Sequence, residues 1–344
     1  ILARAREQQV LEELLASGRP EFLAVYGRRR VGKTYLVKNY CEDKGVFFHI
    51  TGVVQESTQR QLWNFNQVYI SALNKGESIP SPRSWQEAFH RLAQAVEGCP
   101  TSGRIILFLD ELPWLSTHKS GFVQALSYLW NRHLESDPRV LLIVCGSAAS
   151  WMLNNVIDSR GGLYNRLTRK LRLAPLDLHD TEIYLQQKGV RRARKQIVEV
   201  YMALGGIPAY LDLVRPGHSS AQAIASICFD HQSSLYGEYD RLFRSLFDKS
   251  ELHTRVVRVL LKHKSGILQQ DPIAEARITS GSVRKRVKQE LIESGFIAEV
   301  PGFEARKKGA MIRLIDEYTI FHQSWHRQIA HARSPADASQ WASS

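Results

Sequence analysis

A glycine-framed run, Gly27-Arg28-Arg29-Arg30-Val31-Gly32-Lys33-Thr34, carries the residue types needed to hold a chain of phosphates. It is a full G-x-x-x-x-G-K-[ST] match. The two glycines let the backbone bend so that its N–H groups point inward at phosphate oxygens. Lys33 would reach the β- and γ-phosphates, and the Thr34 hydroxyl would be a ligand of Mg²⁺. A second reactive set closes the apolar run Arg104-Ile105-Ile106-Leu107-Phe108-Leu109-Asp110-Glu111. Asp110, at the carboxyl end of a strand expected beside the glycine-loop strand, suits the acceptor role for a Mg²⁺-bound water. Glu111 is placed to polarise the attacking water as a general base. The alternative is that the two acids only cap the next helix. Both sets point to binding and hydrolysis of a nucleoside triphosphate.

Each set needs elements to position it. Phe22 to Tyr26 is apolar and rich in branched and aromatic residues, as a buried strand is. After the loop, Tyr35, Leu36, Val37 and Tyr40 recur at helical spacing, so the loop opens a helix whose N-terminus adds partial positive charge. Gly27, Arg28, Arg29, Arg30, Val31, Gly32, Lys33, Thr34 and Tyr35 are thus the expected nucleotide-binding run. Gly45 to Thr51 reads as a strand, and Arg60 to Leu73 and Trp85 to Val96 read as helices around a turn-rich loop. Ser120 to His133 reads as a helix, and Arg139 to Cys145 as a buried strand ending in Gly146-Ser147-Ala148-Ala149. Ser147 is there either to sense a γ-phosphate or to cap the following helix, and the two roles are compatible. Lys170 to Leu176 reads as a fifth strand. This alternation predicts an α/β core over residues 1–176, a parallel sheet with crossover helices.

From 177 to 245 the pattern is helical, broken at Gly205-Gly206-Ile207-Pro208, and suggests a small lid. Residues 246–330 suggest a winged helix, with helices over Leu252–Lys262, Pro272–Arg277 and Ser282–Glu293. Strands over Phe296–Val300 and Ala310–Ile315 would then flank a PGFEARKKG turn. The third helix carries Arg284, Lys285, Arg286 and Lys288, and the wing tip adds Lys307 and Lys308. Cations on the first half of a recognition helix suit the major groove of duplex DNA, with the tip on phosphates. A protein-docking wing is the alternative. Residues 331–344 form a tail.

Lys plus Arg number 46 against 34 Asp plus Glu, a net charge of +12 over 344 residues that favours polyanionic partners. The four cysteines stand singly, without a C-x-x-C pair, which argues against zinc or a disulfide framework and for a reducing compartment. No apolar run approaches the ~18 residues of a membrane span, and the opening residues read as an amphipathic helix, so a cytoplasmic protein is expected. The histidines show no H-E-x-x-H or paired metal spacing.

The segments YGRRRVGKTYLV, FLDELPWL, VCGSAASWM, NRLTRKLRLAPLDL and GGIPAYL, in this order and spacing, resemble the archaeal-type ATPase family. This branch is related to AAA+ and STAND ATPases and also occurs in bacteria. Residues 252–327, with RLIDEYTIFHQSW, are similar to the winged-helix segment that follows in that family. The resemblance implies a P-loop ASCE/AAA+-like core binding ATP and Mg²⁺, with helical lid and winged helix after it. It implies that Arg4 and Glu7 fill the family's G-R-x-x-E start, with Ala3 in the glycine's place, and that Pro208 packs on adenine. It also implies an arginine reaching a neighbouring subunit's γ-phosphate in a homo-oligomer. Arg166 and Arg169 lie at the matching place, with Arg160 a third, and sheet-edge cations are the alternative for them. Adenine is favoured because Asn74-Lys75-Gly76-Glu77 only approaches the guanine motif N-K-x-D. The acidic-plus-lysine motif of nuclease-bearing relatives does not occur in these 344 residues, so nuclease activity is not expected of this chain. Three functions stay open: a DNA-associated ATPase, a STAND-like switch that oligomerises on ATP and docks a protein, and a small-molecule kinase using the same loop, which Asp110-Glu111 and the lid-plus-wing extension suit less well.

Overall fold

The computed structural model describes residues 2–74, 76–157, 163, 165–247, 250–263, 266–268, 275–300 and 311–329. They divide into two compact units. The first comprises Ala3–Gly27 with Gly32–Leu173, and the second comprises Arg28–Val31 with the chain from Ala174 onward.

The first unit is a five-stranded parallel sheet of β1 (Glu21–Tyr26), β2 (Gly45–Thr51), β3 (Arg104–Asp110), β4 (Val140–Gly146) and β5 (Arg169–Arg172). Their order is β2-β3-β4-β1-β5. β4 and nearly all of β1 and β3 are buried, as near-continuous apolar runs in a parallel sheet with two covered faces should be. The expectation that β3 lies directly beside β1 is corrected: β4 lies between them, with Ile106 opposite Leu141 and Phe22 opposite Leu142. Three equally apolar strands carry no signal of their lateral order. The fifth strand also differs, ending at Arg172 and not at Leu176. After Leu173 donates to the Tyr26 carbonyl (2.8 Å) the ladder stops, and Pro175 has no N–H with which to resume it.

Helices α1 (Ala5–Ala16), α2 (Lys33–Cys41), α3 (Thr58–Ala72), α4 (Trp85–Glu97), α5 (Leu112–Leu115), α6 (Phe122–Leu129) and α7 (Ala149–Met152) complete this unit. α3 and α4 begin where Ser57 and Ser84 accept from the N–H groups of Arg60 and Glu87. Aromatic rings fill the core around them: Trp85 meets Phe122 edge-on at 4.8 Å, and Phe22 meets Trp130 at 4.9 Å. Each such buried ring contributes about 1.5–3 kcal/mol by leaving water. This rigid base fixes where the carboxyl ends of β1, β3 and β4 emerge.

The second unit contains α8 (Leu178–Gln187), α9 (Arg194–Leu204), α10 (Pro208–Leu211), α11 (Ser220–Ile224), α12 (Glu238–Leu246) and α13 (Ser250–Lys262). A three-stranded antiparallel sheet follows, with Ile267–Leu268 (β6) and Ile297–Val300 (β7) on either side of Met311–Leu314 (β8). α14 (Gly281–Glu293) precedes β7, and α15 (Glu317–Ile329) follows β8. β6 and α15 were not expected from the sequence. Residues 272–274 of the helix expected over 272–277, and the turn bearing Lys307 and Lys308, lie outside the described residues. No helix among the described residues is long and apolar enough to cross a membrane.

Candidate nucleotide site

The glycine loop follows β1 and opens α2. Gly27 has φ 141°, and a Cβ there would fall 2.2 Å from the Leu173 carbonyl oxygen, so the position accepts only glycine. Gly32 has φ 91° and begins α2 with no side-chain cap. Arg30 has φ 69°, a left-handed backbone that costs a non-glycine residue roughly 1–2 kcal/mol. Lys33 is buried, and its Nζ donates to the Gly27 carbonyl at 3.0 Å. Arg29 and Tyr35 are exposed.

Thr34 Oγ1 donates to Asp110 Oδ2 at 2.7 Å, joining the start of α2 to the end of β3. Asp110 Oδ1 accepts the Glu111 N–H at 2.9 Å, and His49 Nε2 from the end of β2 stands 3.9 Å from Oδ2. Burial pushes the Asp110 carboxyl up, but polar contacts from His49, Thr34, Cys145 and the Glu111 backbone together outweigh it. The carboxyl is therefore held below its ordinary value. Burial also raises the neighbouring Cys145 thiol well above its ordinary value, so it stays protonated.

Glu111 has φ 48° at the β3–α5 turn. Its carboxylate accepts from Ser147 twice, from Oγ at 2.5 Å and from the backbone N–H at 3.3 Å. The two residues expected to act on the γ-phosphate region are thus bound to each other. Among the described residues no group of three or more His, Cys, Asp and Glu side chains is arranged to hold a metal. Mg²⁺ seldom needs such a cage, because one or two protein oxygens with substrate phosphates and water suffice. The Thr34–Asp110 pair is that kind of donor set.

The remaining candidates are dispersed. Arg166 pairs with Glu135 (2.6 Å) and Arg169 with Glu13 (3.3 Å), all on exposed surface, and Arg160 lies outside the described residues. Arg4 is buried and pairs with Glu7 at 3.0 Å. Pro208 is the first residue of α10, where its missing N–H costs nothing. The chain approaches very closely just before it, since a Cβ on Gly206 would fall 1.7 Å from the Leu176 carbonyl oxygen.

On α14, Lys285 and Arg286 are exposed, and Arg284 Nε donates to the Ile278 carbonyl. Arg286 lies 4.0 Å from Glu290, and Lys288 pairs with Glu299 of β7.

Sequence reasoning missed four partners. His49 and Cys145 flank Asp110 from the ends of β2 and β4, a signal present in the strand ends. The others are Asp316 and Glu238, acidic partners of loop arginines within the second unit. Arg28 is only 2% exposed and pairs with Asp316, and Arg30 pairs with Glu238 at 2.9 Å. Burial lowers the pKa of Arg28, and the hydroxyls of Tyr210 and Tyr318 with the carboxylate of Glu317 oppose that shift.

Comparison with known proteins bears on the family and the fold. Residues 2–214 match a family described as an ATPase domain predominantly from Archaea. An uncharacterized protein of Methanocaldococcus jannaschii, MJECL04, is 28% identical over 212 residues, which are 62% of this chain and 43% of that protein. The matched stretch therefore spans less than half of the relative's length. Among solved structures, the Walker-type ATPase PABY2304 of Pyrococcus abyssi superimposes with a TM-score of 0.64 at 19% identity, covering 93% of this chain and 95% of that one. The Aeropyrum pernix ORC2 protein, solved as ADPNP and ADP complexes, gives 0.53 at 13% identity, with 95% of each chain covered. At these identities the likeness is one of fold. With the family match covering more than half of its length, the chain belongs to the family of ATPase domains found predominantly in Archaea.

Proposed function

We propose that the chain is a Mg²⁺-dependent ATPase whose nucleotide state is passed to a basic winged helix that contacts duplex DNA. The observation that carries this reading is a convergence. Lys33, the Thr34–Asp110 pair and the Glu111–Ser147 pair meet at the carboxyl ends of β1, β3 and β4. Together they would supply the cation, metal-ligand and base functions that phosphoryl transfer to water requires.

Lys33 would exchange the Gly27 carbonyl for phosphate oxygens, and the amides of 27–34 would cradle the triphosphate. A Mg²⁺ held by Thr34 and Asp110 would neutralise the charge that develops between the β- and γ-phosphates. Glu111 takes a proton from the attacking water as the water oxygen bonds to the γ-phosphorus. The bond from that phosphorus to the bridging oxygen breaks, and ADP and inorganic phosphate leave. Ser147 must let go of Glu111 for this, which frees its hydroxyl for the γ-phosphate. Pro208 would pack on adenine. Arg166 or Arg169 of one copy would serve a neighbour in a homo-oligomer, and their exposed ion pairs cost little to open. In this reading 1–176 hydrolyse, 177–245 form the lid, and 246–330 present Arg284, Lys285, Arg286 and Lys288, with Lys307 and Lys308, to DNA.

The test is steady-state ATP turnover with and without Mg²⁺ and duplex DNA, using Glu111→Gln as blank. Mg²⁺-dependent turnover that DNA raises at moderate salt is expected. Equal turnover in Glu111→Gln would remove Glu111 from the base role.

One observation favours a second reading, the signalling switch that oligomerises on ATP and docks a protein. Arg286 and Lys288 already face Glu290 and Glu299, which reduces the charge they offer to phosphates. Mass in solution with ADP against an ATP analogue, measured beside duplex binding, separates the two: assembly on ATP without duplex binding is the signature of the switch.

A further inference from the structure

The arginines inside a phosphate-binding loop invite the assumption that they meet phosphate. Two of them do something else. Arg28 is buried and forms an ion pair with Asp316 while its guanidinium lies 5.1 Å from the centre of the Phe296 ring. Arg30 holds Glu238 Oε2 at 2.9 Å and lies 5.9 Å from the centre of the Tyr210 ring. Glu238 is itself 2% exposed and accepts from the Tyr210 hydroxyl at 3.1 Å, with Arg241 at 3.6 Å. All these residues, Arg28 to Val31 included, fall in the second unit.

Asp316 divides its two oxygens. Oδ2 accepts the Thr319 N–H at 2.9 Å, capping α15, while Oδ1 faces Arg28. Capping alone needs no charge, and asparagine caps as well as aspartate does. A buried carboxylate is costly unless it is paired, so the ionised form belongs to the contact with Arg28. The segment between the arginines also contains the strained φ of Arg30, which persists only where surrounding contacts over-determine it.

We infer that Asp316 and Glu238 are positioning residues for the glycine loop. Through Arg28 and Arg30 they hold its backbone in the phosphate-ready shape before any nucleotide arrives. The inference rests on the reading of 27–34 as the nucleotide loop. It adds that carboxylates far along the chain set how much order the loop must gain on binding. A loop already ordered loses less entropy on binding, so the clamp acts on affinity more than on the chemical step.

The experiment compares the full chain with Asp316→Asn, which keeps the cap and loses the charge, and with Glu238→Gln. Hydrogen exchange of amides 27–34 is followed without nucleotide, and KM and kcat for ATP are measured on the same samples. Exchange about tenfold faster is expected, with KM raised about tenfold and kcat changed much less. Unchanged loop exchange in a folded variant would overturn the clamp. Should Asp316→Asn fail to fold, the part-exposed Arg30 supplies a cycle of Arg30→Gln, Glu238→Gln and the double variant. Non-additive effects on exchange support the clamp, and additive ones overturn it. Because exchange is read without nucleotide, the clamp is decided even if the wild-type chain proves not to bind ATP.

Discussion

In the first unit the two acids of the site stand at the end of buried β3 and accept from the hydroxyls of Thr34 and Ser147. In the second unit, the cations of α14 lie along a largely solvated helix face, where Arg286 and Lys288 pair with carboxylates one turn away and on β7. The first arrangement is fixed by backbone that the aromatic core holds in place. The second depends on long side chains, whose ion pairs near water contribute little and weaken with salt. Fixed geometry is thus a property of the strand ends, and adjustable charge a property of the helix face.

The sharpest way to break this comparison is Lys33→Ala. Loss of the buried cation should abolish nucleotide binding, read by titration with a fluorescent ATP analogue, while the circular dichroism spectrum stays that of the wild type. Retained affinity would mean that the loop is not the site. Next, Glu111→Gln should lower turnover by about 10²–10⁴ while ATP still binds. Weak ATP binding instead would give Glu111 a structural role. Smaller in effect, Lys285→Glu with Arg286→Glu should weaken duplex binding and reduce the slope of log affinity against log salt by about 0.9 for each phosphate no longer neutralised. An unchanged slope would assign the α14 face to a protein partner. Leu142→Ala, at a fully buried position of β4, should cost about 2–5 kcal/mol in urea unfolding. The smallest effect concerns Asp110. Its native pKa lies below the ordinary 3.8, so its stabilising contribution is complete above that value and is lost as pH falls through the lowered native one. The stability gap between wild type and Asp110→Asn should therefore narrow between pH 5 and pH 2, on the order of the range over which such carboxylates titrate.

How much of this could be read in the residues depends on the range of the signal. β1, β3 and β4 are apolar runs, and the strand–loop–helix around Lys33 is a contiguous motif, so local pattern suffices for them. The lateral place of β4 between β3 and β1 is a choice among strands of equal hydrophobicity, and periodicity is blind to it. β6 has two residues, Ile267 and Leu268, too few to show an alternation. Asp110 and Glu111 were legible as strand-end acids, but the bond between Glu111 and Ser147 joins two separate strand ends. Arg28 and Arg30 look like phosphate ligands in sequence because their carboxylates come from α12 and from the residue before α15.

The end of the sheet at β5 has a consequence of a different kind. The last strand of a sheet is a template for another copy's strand, and unprotected edges grow into aggregates. Here that strand is four residues long and spells Arg-Lys-Leu-Arg, with Arg169, Lys170 and Arg172 exposed. Two such edges laid side by side would bring like charges together along their whole length, so the sheet discourages its own extension. Neutral substitutions along β5 should therefore show first as lost solubility at high concentration, well before any loss of fold.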